Sequence, residues 1–449
     1  MSKLKYERPF IKKMSVGMLD KTGTQSELTP VTTIDGIAVK ELIRKYGSPV
    51  FVMSEQQIRH NYQFAVRAFA TRYPKVQYAW SYKTHYNNAI CRIFHQEGSW
   101  AEVVSGFEYQ KALNNGVPGS QIIFNGPDKQ ESELILAVNH ESLIHIDHLE
   151  ELYLLSSICN TLKKKARVAI RVNMDTGIYP MWDRFGFNYE NGQAWTALQK
   201  IAASEFLSLT GLHAHIGTYM MSTNAYAIAA TKLSTLALQC KKEFNITVKY
   251  IDLGGGFPGT NILRGTYGAV QLPTVDEFAE AITHAILQAG FPPADLPMLV
   301  LESGRLLVDD AGYLLGTVLA NKKLSDGRKA TIMDFGVNIM FTSFWYDHKI
   351  SPAQEVTSFQ EDTVLYGPLC MNIDVIREHV SLPLMNRGDH VVVHKVGAYN
   401  MTQWMQFIAM RPAIVLIDTN SNTHVIRQKE DLAYMEQLEQ IPEHLTLKN

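Results

Sequence analysis

The chain has 449 residues, 46% hydrophobic and 19% charged, with a net charge of −2 at pH 7. That length suits two to three domains and a large core, and the near-neutral balance gives no basis for a nucleic-acid or membrane-surface partner. The opening Met1-Ser-Lys-Leu-Lys lacks the apolar core of a signal peptide, and no apolar run reaches the ~18 residues of a membrane span. Cys91, Cys159, Cys240 and Cys370 are scattered, without Cys-x-x-Cys or metal-like spacing, so a reduced, cytoplasmic protein is expected.

In chain order, β-branched and aromatic runs predict strands over Val76–Lys83, Trp100–Ser105, Gln121–Asn125, Leu143–Asp147, Arg167–Asn173, Leu209–Ile216, Val248–Leu253 and Met298–Glu302. Helical spacing intervenes, as in Asn88–Glu97, Glu131–Val138, Gln193–Ala203, Tyr226–Phe244 and Val275–Ala289. Eight strands alternating with helices predict an α/β fold, a (β/α)8 TIM barrel, rather than an open doubly wound sheet. Beyond Glu302 the texture turns β-rich: Gly312–Leu319, Ala330–Asp334, His390–Val396 and Ala413–Ile417 read as a second domain, a β-sandwich or β-barrel. The expected division is 1–47, an N-terminal segment contributing to the β-domain; 48–311, the barrel; and 312–449, the C-terminal β-domain.

Active sites of such barrels lie at the carboxyl ends of the strands, and those ends are rich in chemistry. The first carries Lys83, whose charged form burial would disfavour, leaving an amine able to attack carbonyls; the bland alternative is a snorkelling lysine. The second carries Glu102, the fifth Arg171 and Asn173, and the sixth His213 and His215. The histidines read as a metal-binding pair, as hydrogen-bonded core residues, or as an imidazole stacked on a flat cofactor. Gly254, Gly255 and Gly256 at the seventh end suit a phosphate or a simple tight turn. Glu302 and Arg305 at the eighth read as a salt bridge, or as a carboxylate for a pyridine nitrogen beside a guanidinium for a phosphate. Nucleophilic lysine, phosphate cradle, stacking imidazole and pyridine-directed acid together describe a pyridoxal phosphate site, with no metal.

Over roughly residues 35–420 the chain resembles the fold-type III pyridoxal-phosphate enzymes of the diaminopimelate/ornithine decarboxylase group. The matching motifs are Tyr78-Ala-Trp-Ser-Tyr-Lys83, Ala101-Glu-Val-Val-Ser-Gly106, His215-Ile-Gly-Thr218, Gly254-Gly-Gly-Phe257, Glu302-Ser-Gly-Arg305, Gly367-Pro-Leu-Cys370 and Gly397-Ala-Tyr399. The resemblance implies pyridoxal 5'-phosphate held by Lys83 as a Schiff base, with Glu102 beside the ring, His215 stacked on it and Glu302 at its nitrogen. It places Thr218, Arg305 and Tyr399 at the phosphate. It also implies a cytoplasmic homodimer with shared active sites, in which Cys370 comes from the partner subunit as proton donor, and it puts Phe407 among the substrate contacts.

Two departures bear on the substrate. Where diaminopimelate decarboxylases carry a substrate-binding arginine, the stretch here is Met340-Phe341-Thr-Ser343; the acidic residue that follows the cysteine in the family is Met371. Asp347 is kept and is expected to read an amine. The expected reaction is therefore decarboxylation of a small-molecule diamino acid or a modified or conjugated derivative, with a carrier-protein tether left open. The alternatives are an amino-acid racemase on the same scaffold or a catalytically inactive regulatory homologue.

Overall fold

A computed structural model describes residues 29–265, 272–356 and 359–445. Residues 1–28 and 446–449 lie outside the described residues, and with them most of the 1–47 segment. The eight expected strands are present as β1 (Val76–Ser81), β2 (Trp100–Val103), β3 (Ile122–Phe124), β4 (Leu143–Ile146), β5 (Ala166–Asn173), β6 (Leu207–His213), β7 (Tyr250–Asp252) and β8 (Met298–Leu301). All neighbours pair in parallel, and Leu301 opposite Tyr78 closes the circle from β8 back to β1. The chain thus forms a TIM barrel. Its strands read as unbroken apolar runs because helices cover the outer face while the interior is filled.

The helices fall within a few residues of their sequence signals: Asn88–Gln96, Glu131–Asn139, Gln193–Ala202, Thr223–Phe244 and Val275–Gln288. Local chemistry fixes their starts. Asn87 Oδ1 accepts from Ala89 N, and Thr274 with Glu277 forms a reciprocal capping box.

The barrel interior is layered with the two-residue period of a strand. Ala79, Ile123, Leu143, Ala169, Tyr250 and Val300 form one apolar cluster, with Trp100 and Met298 against it. Gly211 belongs to this level because a Cβ there would stand 2.1 Å from the Tyr250 ring. Two residues further along each strand the side chain is polar: Ser81, Glu102, Asn125, His145, Arg171, His213, Asp252 and Glu302. Every strand contributes one member to this upper ring.

The second domain is sheet-rich. Its hub is β9 (Gly312–Lys323), which pairs antiparallel with β10 (Lys329–Met333), with the β13 strand (His390–His394) and with the early segment Val50–Ser54. Further strands are β11 (Gln360–Tyr366) and β12 (Val375–Pro383) beyond β10, and β14 (Ile414–Ile417), which runs parallel to Val50–Ser54; the short Ile350–Pro352 pairs with β13, and Thr423–Arg427 pairs with β14. The chain therefore crosses from this sheet into the barrel immediately after Ser54. One large apolar cluster runs through both parts, from Trp80 and Phe94 to Val393 and Ile414, and a smaller one around Val50, Leu315 and Val415 lies within the second sheet.

Candidate active site

The strand carrying Lys83 stops at Ser81, and Lys83 sits in the 3-10 turn Tyr82–Thr84 that follows. The turn swings its side chain over the barrel mouth, where 38% of its surface stays open to the cavity. Its Nζ donates to both Glu102 oxygens, at 2.8 and 2.6 Å. The expected fall in pKa is reversed. Burial does push the ammonium down, but Glu102, then Glu302 and Tyr399, outweigh it and hold the lysine above its ordinary value.

Glu102 is buried and also accepts from Ser81 Oγ at 2.6 Å, a contact set by the register of Ser81 opposite Glu102. Asn125 Nδ2 links the ring across the barrel, donating to Glu102 Oε1 at 3.1 Å and to Glu302 Oε1 at 2.6 Å. On its other oxygen Glu302 stands 3.4 Å from His213 Nε2. Asp252 neighbours Glu302 in the ring. Burial, followed by that neighbouring carboxylate, holds Asp252 well above the usual carboxylate range. Arg171 lies 3.9 Å from Asp147 and over the Phe185 ring; burial lowers its pKa against the pull of Asp147, Glu302 and Glu102.

The two histidines of the sixth strand do not act as a pair. His213 faces inward beside His145, and among the described residues these two and Glu302 place one donor atom each within 4.8 Å of one another. His215 lies beyond the strand end, and its Nδ1 accepts from Gly255 N at 3.1 Å. Burial, then Arg171 and Lys83, hold this imidazole well below its usual pKa, so it is neutral with its proton on Nε2. The Trp182 ring stands 5.4 Å from it in a T-shaped arrangement.

Above the polar ring a cavity opens toward the barrel mouth. Lys83, His215, Thr218, Gly255, Gly256, Glu302, Arg305 and Tyr399 all line it. Arg305 is 7% exposed and its guanidinium lies among four rings, 4.7 Å from Tyr399, 5.2 Å from Tyr346, 5.7 Å from Trp345 and 6.0 Å from Tyr219. Its Nη1 has no partner within the protein, which suits it to an anionic oxygen. Two glycine N–H groups are already engaged, Gly254 N with Asp252 Oδ1 at 2.8 Å and Gly255 N with His215 Nδ1. The triplet's firmer role is steric. At Gly255 a Cβ would sit 2.4 Å from Glu302 O, and at Gly256, with φ +94°, 2.2 Å from Gly217 O. Buried unpartnered atoms gather here, on Asn125, His145, His213, Asp252, Ser303 and Arg305. A phosphate for Arg305, a flat ring for His215 and an amine-reactive carbonyl for Lys83 fit pyridoxal phosphate.

Glu102, Arg171 and Gly254 do not line this cavity themselves, and four candidates of the second domain also lie off it in their own chain. Cys370 is exposed, on a turn fixed at its base by the buried Asp374, whose carboxylate accepts from Val337 N at 2.8 Å and Leu369 N at 2.7 Å. Met371 packs partly into the core, while Phe407 is 37% exposed. Asp347 faces Arg377 Nε at 3.2 Å, so its charge is matched within the chain. Thr342, in the stretch lacking the arginine, is fully buried with its Oγ1 between His348 Nε2 at 2.8 Å and Asn400 Oδ1 at 2.9 Å. Sequence reasoning missed Ser81, Asn125, His145 and Asp252. The signal for them was present: each stands two residues beyond an inward apolar position.

Residues 57–309 match the family described as pyridoxal-dependent decarboxylase, pyridoxal binding domain. The chain is 31% identical over 430 residues to a diaminopimelate decarboxylase of Methanocaldococcus jannaschii, covering 92% of this chain and 95% of that one. It is 28% identical over 412 residues to the Bacillus subtilis diaminopimelate decarboxylase, with coverages of 88% and 92%. A crystal structure of the M. jannaschii enzyme in complex with L-lysine superposes with a TM-score of 0.85 at 30% identity, covering 92% of this chain and 97% of that one.

Proposed function

Because the chain belongs to the pyridoxal-dependent decarboxylase family, we propose that it removes CO2 from a diamino acid whose distal end is modified or conjugated. Pyridoxal 5'-phosphate is the family's cofactor, and when bound it supplies the electron sink for the pair left at the α-carbon. In this reading Lys83 would be the residue that holds it, through its ε-amine. Arg305, Thr218 and Tyr399 anchor the phosphate, and the neutral His215 ring lies against the pyridine. Glu302 holds a proton at the pyridine nitrogen. Glu102, which accepts from Lys83 Nζ through both oxygens, would keep the lysine oriented. The barrel, entered after Ser54 rather than at residue 48 because Val50–Ser54 pairs into the second sheet, would carry the cofactor, and the β-domain would complete the site in a homodimer. Cys370 of the partner subunit would return the proton to the α-carbon.

The observation that carries the reaction is the convergence of Lys83, His215, Glu302 and Arg305 on one cavity. The substrate class rests on charge. Met371 and Phe341 are apolar, and Asp347 is matched by Arg377. None of these positions offers a free charge to a distal ammonium or carboxylate. Four unpaired cysteines, three of them buried, fit a reducing cytoplasm, and no helix among the described residues is long and apolar enough to cross a membrane.

The test is CO2 release across free diamino acids, their acylated conjugates and carrier-bound forms. Turnover of a conjugate with silence on the free diamino acids is the expected result. Efficient turnover of meso-diaminopimelate would overturn the substrate assignment.

A further inference from the structure

Among the upper-ring residues without an assigned role, Asn125 makes the farthest-reaching contacts. It follows β3 at 4% exposure, with its backbone N–H held by Val103 O at 2.8 Å. A carboxylate can only accept, so the amide nitrogen has to face the acids, and each of its two hydrogens serves one of them: Glu302 Oε1 at 2.6 Å and Glu102 Oε1 at 3.1 Å. The amide oxygen has no partner, so the side chain's work is done by its nitrogen. Without that bridge, two buried carboxylates would confront each other across the barrel with like charge.

We propose that Asn125 is a positioning residue of the decarboxylation site, fixing Glu302 and Glu102 as one unit, so that the carboxylate at the pyridine nitrogen and the carboxylate at Lys83 keep a set spacing. The proposal rests on Lys83 and Glu302 being the cofactor's contacts. The residue type is well suited to the task. Leucine of similar size donates nothing, and aspartate donates one hydrogen only while protonated.

The experiment compares wild type, Asn125→Leu and Asn125→Asp for pyridoxal phosphate affinity by absorbance titration at pH 6 and pH 8.5, together with thermal midpoints. Asn125→Leu should loosen the cofactor roughly tenfold or more at both pH values, since a hydrogen bond to a charged group is lost twice. Asn125→Asp should stay close to wild type at pH 6, where the introduced carboxyl can donate, and fall to the Leu level or below at pH 8.5, where it is ionised. A merely structural role would lower the thermal midpoints without this pH-dependent divergence. Equal affinities of wild type and Asn125→Asp at both pH values would overturn the proposal. A second arm needs no cofactor: in cofactor-free protein, acylation of Lys83 followed by mass spectrometry should be several-fold slower in Asn125→Asp, because a third carboxylate favours the ammonium. If wild type shows no lysine-bound absorbance, the cofactor assignment fails, while this labelling still decides whether Asn125 governs the carboxylate pair: slowed acylation supports it, an unchanged rate overturns it.

Discussion

The two inner layers of the barrel differ by two residues along each strand and by everything in their chemistry. The lower layer, from Ala79 through Ile123 and Leu143 to Val300, is a dry plug. The upper ring, from Ser81 through Asn125 and His145 to Glu302, is buried almost as deeply yet leaves several polar atoms unpartnered. Burying polar groups without partners costs free energy, so the upper ring is tolerable only because the lower layer and the surrounding helices stabilise the fold. The comparison separates residues that make the barrel from residues that use it.

That separation can be tested from the top down. Lys83 stands on the upper ring through Glu102, and Lys83→Ala should abolish the lysine-bound cofactor absorbance and reduce turnover by roughly three orders of magnitude or more. Retained turnover would remove Lys83 from the mechanism. In the lower layer Ile123→Ala should do the reverse, costing about 3 kcal/mol in denaturant unfolding while the folded fraction keeps its kcat. A large loss of kcat in the folded enzyme would erase the distinction between the layers.

The smallest effect concerns acid. Burial holds His213 well below its usual pKa, so it is neutral when folded but protonated in the unfolded chain below about pH 6.5. The unfolded state then binds the extra proton, and the contribution of His213 to stability, present above pH 6.5, is lost as the pH falls. Replacing it by Asn should therefore shrink the stability lost between pH 6 and pH 5 by about 1 kcal/mol relative to wild type, measured by urea unfolding at the two pH values. Glu108 and Asp309, both pushed up to about 7 chiefly by burial, act in the opposite direction, but they are common to both proteins and cancel in the difference. An unchanged pH slope would mean that His213 is charged in the fold.

The barrel was legible in the sequence because parallel strands buried on both faces leave continuous apolar runs with a helix between each pair. Lys83, His215, Glu302 and Arg305 were legible because each ends or follows such a run. Asn125 and Asp252 were harder to see. Their meaning depends on partners such as Glu302, 177 residues from Asn125, and no local pattern announces a contact across a barrel. Lys83 was misread in one respect. A lysine at the end of an apolar strand looks desolvated, but the turn after Ser81 delivers it to two carboxylates from other strands, and its pKa moves up rather than down. Asp347 looked available for an amine because Arg377, 30 residues later, is brought to it only by the folding of the second domain.

The Tyr250 ring over Gly211 has a consequence for traffic. With that ring and its apolar neighbours filling the lower end, the barrel is a vessel with one opening. Substrate, carbon dioxide and every solvent hydrogen that reaches the acids and imidazoles of the upper ring must pass the same rim, so whatever closes over that rim sets the clock for all three.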